Sequence, residues 1–181
     1  MEISQMEQLS PSDLKLWSLG ADAGEPVTQA TAPTAWQEYH QLHQNGEGLQ
    51  ALMVINRMVV YDQKQPEIWR IKAKLHGALG HSDCCMLAIN TLLTLIPNDL
   101  EGLQMQALYL YCHHHHAKAL SICDHVLGTY PTQADFWALK GDILHAIGKR
   151  YEAEQAGKKA LFIKPDCFTA QRLMHEIHTS V

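Results

Sequence analysis

The chain has 181 residues, 46% of them hydrophobic and 18% charged, enough apolar material to fill the core of one compact domain. Its 19 Asp and Glu against 14 Lys and Arg give a formal charge of -5, which leaves no basic surplus for a nucleic-acid backbone or an anionic membrane surface. No run approaches the roughly 18 to 20 apolar residues of a membrane span, and the five cysteines form no C-x-x-C pair of the zinc or redox kind.

The chain opens on Met1-Glu2-Ile3-Ser4-Gln5-Met6-Glu7, with acids where a secretory leader carries bases, and no apolar core of the required length follows. A cytoplasmic protein is the expectation. Ser10-Pro11-Ser12-Asp13 then forms a helix start, followed by Leu14, Leu16, Trp17 and Leu19 up to Gly20. Such side chains are costly to leave in water, so the stretch is expected to dock: on its own molecule, on a second subunit to make a homodimer, or as a short helix extending the domain. Residues 21 to 34, low in hydrophobicity and with Pro26 and Pro33, read as a linker. The expected division is an N-terminal segment over 1–31 and one helical domain over 32–181.

Within that domain the sequence repeats. Pro97, Pro131 and Pro165 are spaced by 34 residues. Trp69 and Trp137 lie two such periods apart with Leu103 between them, and small side chains recur at Ala51, Cys85, Ala119 and Ala153. Gly46, Gly80 and Gly148 keep the same phase, with His114 at the vacant place. Each residue has a task in a pair of antiparallel helices. Proline, lacking a donor and restricting the residue before it, ends the second helix. Glycine takes positive φ in the turn between helices, and small residues let the helix axes approach. Repeats are assigned to 32–65, 66–99, 100–133 and 134–167. The first is degenerate, with Trp36 one place late and Gln63 at the proline position. Over 168–179, Ala170, Leu173, Met174 and Ile177 recur at helical spacing with Gln171, Arg172, His175 and Glu176 opposite, the pattern of a capping helix.

His113-His114-His115-His116 falls on the turn of the third repeat. A run of imidazoles can hold zinc, nickel or copper, which makes a metal-binding regulatory protein one reading. Adjacent residues of a turn point in different directions, however, and histidine tolerates positive φ better than most residues, so His114 also reads as a structural stand-in for the turn glycine.

A 34-residue helix-pair repeat carrying Trp, Gly, Ala and Pro at these places resembles the tetratricopeptide family. The resemblance implies an all-α fold, a right-handed superhelical solenoid of antiparallel helix pairs closed by the C-terminal capping helix. It also implies a non-catalytic adaptor or chaperone that binds a protein or peptide and needs no cofactor or metal. No hydrolase, kinase, dinucleotide-binding or metalloprotease motif argues otherwise. In that family the first helix of each repeat lines a concave groove, and places 2, 5, 9 and 12 face the ligand. Carried onto this sequence residue by residue, these places nominate Trp36, His40 and His43; Glu67, Arg70 and Lys74; Glu101, Gln104, Leu108 and Tyr111; and Asp135, Ala138, Asp142 and His145. A basic pair, Arg70 and Lys74, would stand at one end and Asp135 and Asp142 at the other, with Leu108 and Tyr111 as the apolar anchor. The same charges are also what an ordinary solvated helix face carries. Some members clamp a peptide carboxylate with Lys, Arg and Asn, but here the places that should be basic in the last repeat hold Asp135 and Leu139. In size, acidity and layout, with an N-terminal segment used in dimer contacts, the chain also resembles the bacterial type III secretion chaperones that carry these repeats; a homodimer is expected through that segment or through the solenoid edge. Gly157 stands where the family prefers a bulky apolar residue; the expectation is a weak helix, or a gap filled by a second subunit or the N-terminal segment, so that Leu there would stabilise an isolated monomer.

Overall fold

Helices begin at a fixed interval along the chain. In the computed structural model, which describes residues 27–179, the first helices of the pairs are α1 (Ala32–Gln44), α3 (Pro66–Ala78), α5 (Leu100–Cys112), α7 (Ala134–Ala146) and α9 (Phe168–Thr179). The second helices are α2 (Gly48–Tyr61), α4 (Ser82–Leu95), α6 (His116–Thr129) and α8 (Arg150–Ile163). Within each set the starts are 34 residues apart, including α1 and α9. No strand occurs among the described residues. The apolar stretch at 14–19 and residues 21–26 of the linker lie outside them.

Four turns of one design join the pairs. Gly46, Gly80 and Gly148 have φ of 77°, 74° and 80°, and His114 has 61°. After each, the next amide reaches back to close the helix end: Glu47 to the Leu42 carbonyl (2.9 Å), His81 to His76 (2.9 Å), His115 to Leu110 (2.8 Å) and Lys149 to Leu144 (2.9 Å). These are Schellman closures, which require a left-handed residue at the place after the cap. His114 therefore does the work of the turn glycine.

The second helices end as the prolines dictate. Ile96, Tyr130 and Lys164 leave helical geometry with φ of -134°, -126° and -137°, immediately before Pro97, Pro131 and Pro165. Asp62 has the same extended conformation, φ -144°, although Gln63 follows it. A side-chain tie helps to hold this corner. Trp69 Nε1 donates to the Gln63 carbonyl (2.7 Å), Trp137 Nε1 to that of Pro131 (2.8 Å), and Gln171 Nε2 to that of Pro165 (2.8 Å). In α9 a glutamine amide thus repeats the bond made by the tryptophan indole.

The chain divides at Asp99–Leu100 into two compact units, one holding α1 to α4 and the other α5 to α9. In the first, successive helices pack on each other. Its core is formed by Leu52, Ile55, Met58 and Val59 from α2, Ile68, Trp69, Ile71 and Leu75 from α3, and Ala88, Ile89 and Leu92 from α4. Cys85 sits at the α3–α4 crossing, its thiol donating to the Ala73 carbonyl at 3.3 Å. In the second unit, Ala107, Ala119, Cys123, Val126, Leu127, Phe136, Leu139 and Ile143 make one cluster, and Leu144, Ala153, Ala156, Leu173 and Ile177 another.

The gap expected at Gly157 is taken by α9. A methyl group on Gly157 would stand 2.9 Å from Met174 Sδ and 3.4 Å from Leu173 Cδ2, and one on Gly141 would collide with Leu173. The expectation that Gly157→Leu would stabilise the monomer is corrected: the site is full, because Met174 and Leu173 of α9 already occupy the space a side chain at 157 would need.

Candidate functional site

In the first unit the exposed edge of α1 carries aromatic rings at intervals of three and four residues, so they line up along one side of the helix. Trp36 stacks on His40 (centroids 6.1 Å apart, planes at 28°), and His43 stacks on Tyr39 (5.6 Å, 15°). Tyr39 is buried and Trp36 partly so, while His40 and His43 are exposed. Burial raises the Tyr39 hydroxyl above its ordinary pKa; nearby Lys74 opposes the shift and Glu67 adds to it. Those two charges belong to α3, so the aromatic edge of α1 and the Glu67–Lys74 edge of α3 form one face.

Arg70 is on the same face but is already engaged. Its guanidinium donates to Glu67 and, at 2.6 Å, to Asp99. Burial works against its charge, but the two carboxylates outweigh it and hold the group protonated. Lys74 is exposed.

Behind this face the first unit buries two bases. Lys72 is 1% exposed, with its ammonium 5.4 Å from the Trp69 ring, and burial lowers its pKa to about 8. His76 is fully buried beside His81, with Nδ1 atoms 3.3 Å apart, and burial first, then Lys72 and His81, push it down to about 3. Among the described residues neither Lys72 Nζ nor Asn56 Oδ1 has a hydrogen-bond partner. The corresponding pair two periods later, Lys140 and Asp124, is joined at 2.5 Å.

In the second unit the nominated residues separate into open and closed. Asp135 and Leu108 are exposed, and Glu101, Gln104, Tyr111 and His145 are partly buried. Ala138 and Asp142 are buried, and as they stand neither meets an incoming ligand. Asp142 accepts from Arg172 of α9 at 2.8 Å, and Arg172 also donates to Glu176 at 2.7 Å. Burial raises the Asp142 pKa to about 6 against the pull of Arg172, with Glu176 adding to the rise. The Tyr111 hydroxyl is raised by burial and by Asp142, so Tyr111, Asp142, Arg172 and Glu176 share one electrostatic neighbourhood.

Sequence reasoning missed Tyr39, Arg172 and Glu176. A signal for Arg172 existed. Counting on from Phe168 puts Arg172 at the fifth place, the place of Trp36, Arg70, Gln104 and Ala138. Treating 168–179 only as a cap hid that register.

The histidine run points in several directions. His113 stacks on Tyr109 at 4.0 Å and meets its carbonyl at 2.8 Å through Nδ1; His114 occupies the left-handed turn; His116 lies against Tyr111 at 5.7 Å. Among the described residues no group of three or more His, Cys, Asp or Glu is placed to hold a metal ion. No described helix is long and apolar enough to cross a membrane.

No family model matches the sequence, and no curated protein does either. Solved structures do match. The structure is similar to MamA from Desulfovibrio magneticus RS-1 at 16% identity and TM-score 0.69, covering 84% of this chain and 96% of that one. It is similar to TTC0263, a thermophilic TPR protein in Thermus thermophilus, at 21% identity and TM-score 0.68, covering 82% and 81%. It is also similar to the first TPR of Spaghetti (RPAP3) bound to the HSP90 peptide SRMEEVD, at 17% identity and TM-score 0.58, covering 66% and 94%. The chain therefore has a tetratricopeptide-type fold.

Proposed function

We propose that this chain is a non-catalytic protein-interaction module that holds a peptide or helical segment of a partner protein along the exposed faces of its first helices. The observation that carries the reading is the face shared by α1 and α3: the Trp36–His40 and Tyr39–His43 stacks beside exposed Lys74 and Glu67. Preformed aromatic pairs supply large contact area at little entropic cost, and the flanking charges select register. Leu108 and Tyr111 of α5 are the corresponding apolar contacts in the second unit. The similar RPAP3 domain is bound to an acidic peptide, which supports the general mode; Asp135 and Leu139 stand where a carboxylate clamp would need bases. Arg70, held by Glu67 and Asp99, positions the face rather than reaching for the ligand.

The test is selection from a displayed peptide library, followed by anisotropy titration of the enriched peptides against the wild type and a Trp36→Ala, Lys74→Glu variant. At least tenfold weaker binding by the variant is expected. If no peptide is enriched, or the variant binds equally well, the α1–α3 face is not the site.

A further inference from the structure

The face shared by α1 and α3 has an internal spacing. Trp36 and His43 are seven residues apart on α1, about 10.5 Å of helix. Between them the rings of Trp36, Tyr39, His40 and His43 run on without a break: besides the two stacks, Trp36 meets Tyr39 edge-on at 6.0 Å and Tyr39 meets His40 at 5.0 Å. Stacking covers one face of each imidazole, and both histidines remain exposed. Beside the rings runs a second row, Gln37, Gln41 and Gln44, all exposed. Glu38 does not join it, because its carboxylate is bonded to Arg57 of α2 at 2.5 Å. The edge of α1 is therefore a row of rings flanked by a row of uncharged amides. Lys74 on α3 stands one period on from His40, on the same face.

We propose that this face takes a proline-rich segment of a partner in the polyproline II conformation, with one proline at the Trp36 end of the row, another three residues on at the His43 end, and an acidic residue toward Lys74. This rests on the reading of the face as the peptide site and narrows its ligand. A polyproline II helix repeats every three residues, about 9.3 Å, close to the length of the aromatic row. The pyrrolidine ring is apolar and flat-sided and packs on aromatic faces, and the preformed conformation loses little entropy on binding. Its backbone carbonyls have no internal partner and need donors, which the amides of Gln37, Gln41 and Gln44 supply along the same length. An α-helical ligand bonds its own carbonyls and would leave that row without a use. The acidic residue follows from charge, since Lys74 is an exposed cation whereas Arg70 is held by Glu67 and Asp99.

Anisotropy titrations of the full chain use three labelled peptides of equal length and charge. The first repeats P-x-x-P with Asp between the prolines, the second has the same prolines at other spacings, and the third has alanine for every proline. The first is expected to bind at least about tenfold more tightly than the other two, and to lose that advantage against a His40→Ala, His43→Ala variant. Circular dichroism melts confirm that the variant is folded. Equal affinity for the three peptides, or a P-x-x-P affinity unchanged in the variant, overturns the inference. Lys74→Glu should weaken the Asp peptide and spare its Asn counterpart; no difference between the two overturns the acidic preference. Library-selected peptides that bind this face without the P-x-x-P spacing overturn this inference and leave the wider reading standing, whereas no binding by any peptide overturns both.

Discussion

Lys72 illustrates how a single side chain can be kept at an energetic cost. Its ammonium lies over the Trp69 ring and, among the described residues, has no hydrogen-bond acceptor, and burial lowers its pKa to about 8. Two periods later the same place holds Lys140, whose partner is Asp124; at the place that would pair with Lys72 stands Asn56, a neutral amide. The first unit therefore keeps the cation without the compensating carboxylate. At pH 7 the lysine is charged in both folded and unfolded chains, and only the folded one bears the desolvation cost. Lys72→Met should accordingly raise stability by about 1 to 3 kcal/mol in urea titrations at pH 7. The gain should shrink as pH rises from 8 toward 10.5, because the wild-type amine then loses its charge in the folded state.

At the level of elements, α9 is the helix whose role the residue pattern described least completely. Its apolar side was legible from Ala170, Leu173 and Ile177, all of which are buried. Its polar side was read as solvating, yet Arg172 engages buried Asp142, and Gln171 takes the place of the tryptophan tie. The same helix explains Gly157 and Gly141. Both allow α9 a close approach, and only the packed structure distinguishes them from Gly128, which has nothing within 4 Å of a built Cβ. The two kinds of helical glycine should respond oppositely to alanine. Gly128→Ala should stabilise by about 0.5 to 1 kcal/mol, the ordinary propensity gain. Gly157→Ala must displace the Met174 thioether, and a helix-propensity gain set against overpacking leaves it neutral to about 2 kcal/mol less stable, with Gly157→Leu worse still. Thermal melts of the three variants check the order.

At the scale of the molecule, two buried groups with opposite signs contribute to the dependence of stability on acid. His76 is held neutral, with its pKa lowered from 6.5 to about 3; its contribution is fully present above pH 6.5 and is lost as pH falls toward 3. Asp142 has its pKa raised from 3.8 to about 6; its contribution is present below pH 3.8 and is lost as pH rises through 6. Between pH 4 and 6 the two oppose each other, so these groups leave the wild type with a shallow dependence. His76→Phe should make stability fall as pH rises across that window, and Asp142→Asn should make it fall as pH drops. Urea midpoints at pH 4, 5 and 6 give both slopes; equal slopes in the two variants would contradict the assignment.

The helix pairs, their 34-residue interval and the places of the turns could be read from the residues alone. Those follow from local rules: Gly46, Gly80 and Gly148 supply positive φ, and Pro97, Pro131 and Pro165 restrict the residue before them, whatever lies nearby. His114 was legible for the same reason. The α1–α3 face was half legible, since a register position puts Trp36 and Lys74 on first helices but does not reveal that Asp99 has already taken Arg70. Which of the nominated groups stay open depends on packing between helices. Ala138 and Asp142 share a face pattern with exposed residues, and they are closed off because helices distant in sequence pack over them. Local backbone chemistry repeats with the period, whereas burial and ion pairing depend on which neighbour each repeat meets, and that changes from one repeat to the next.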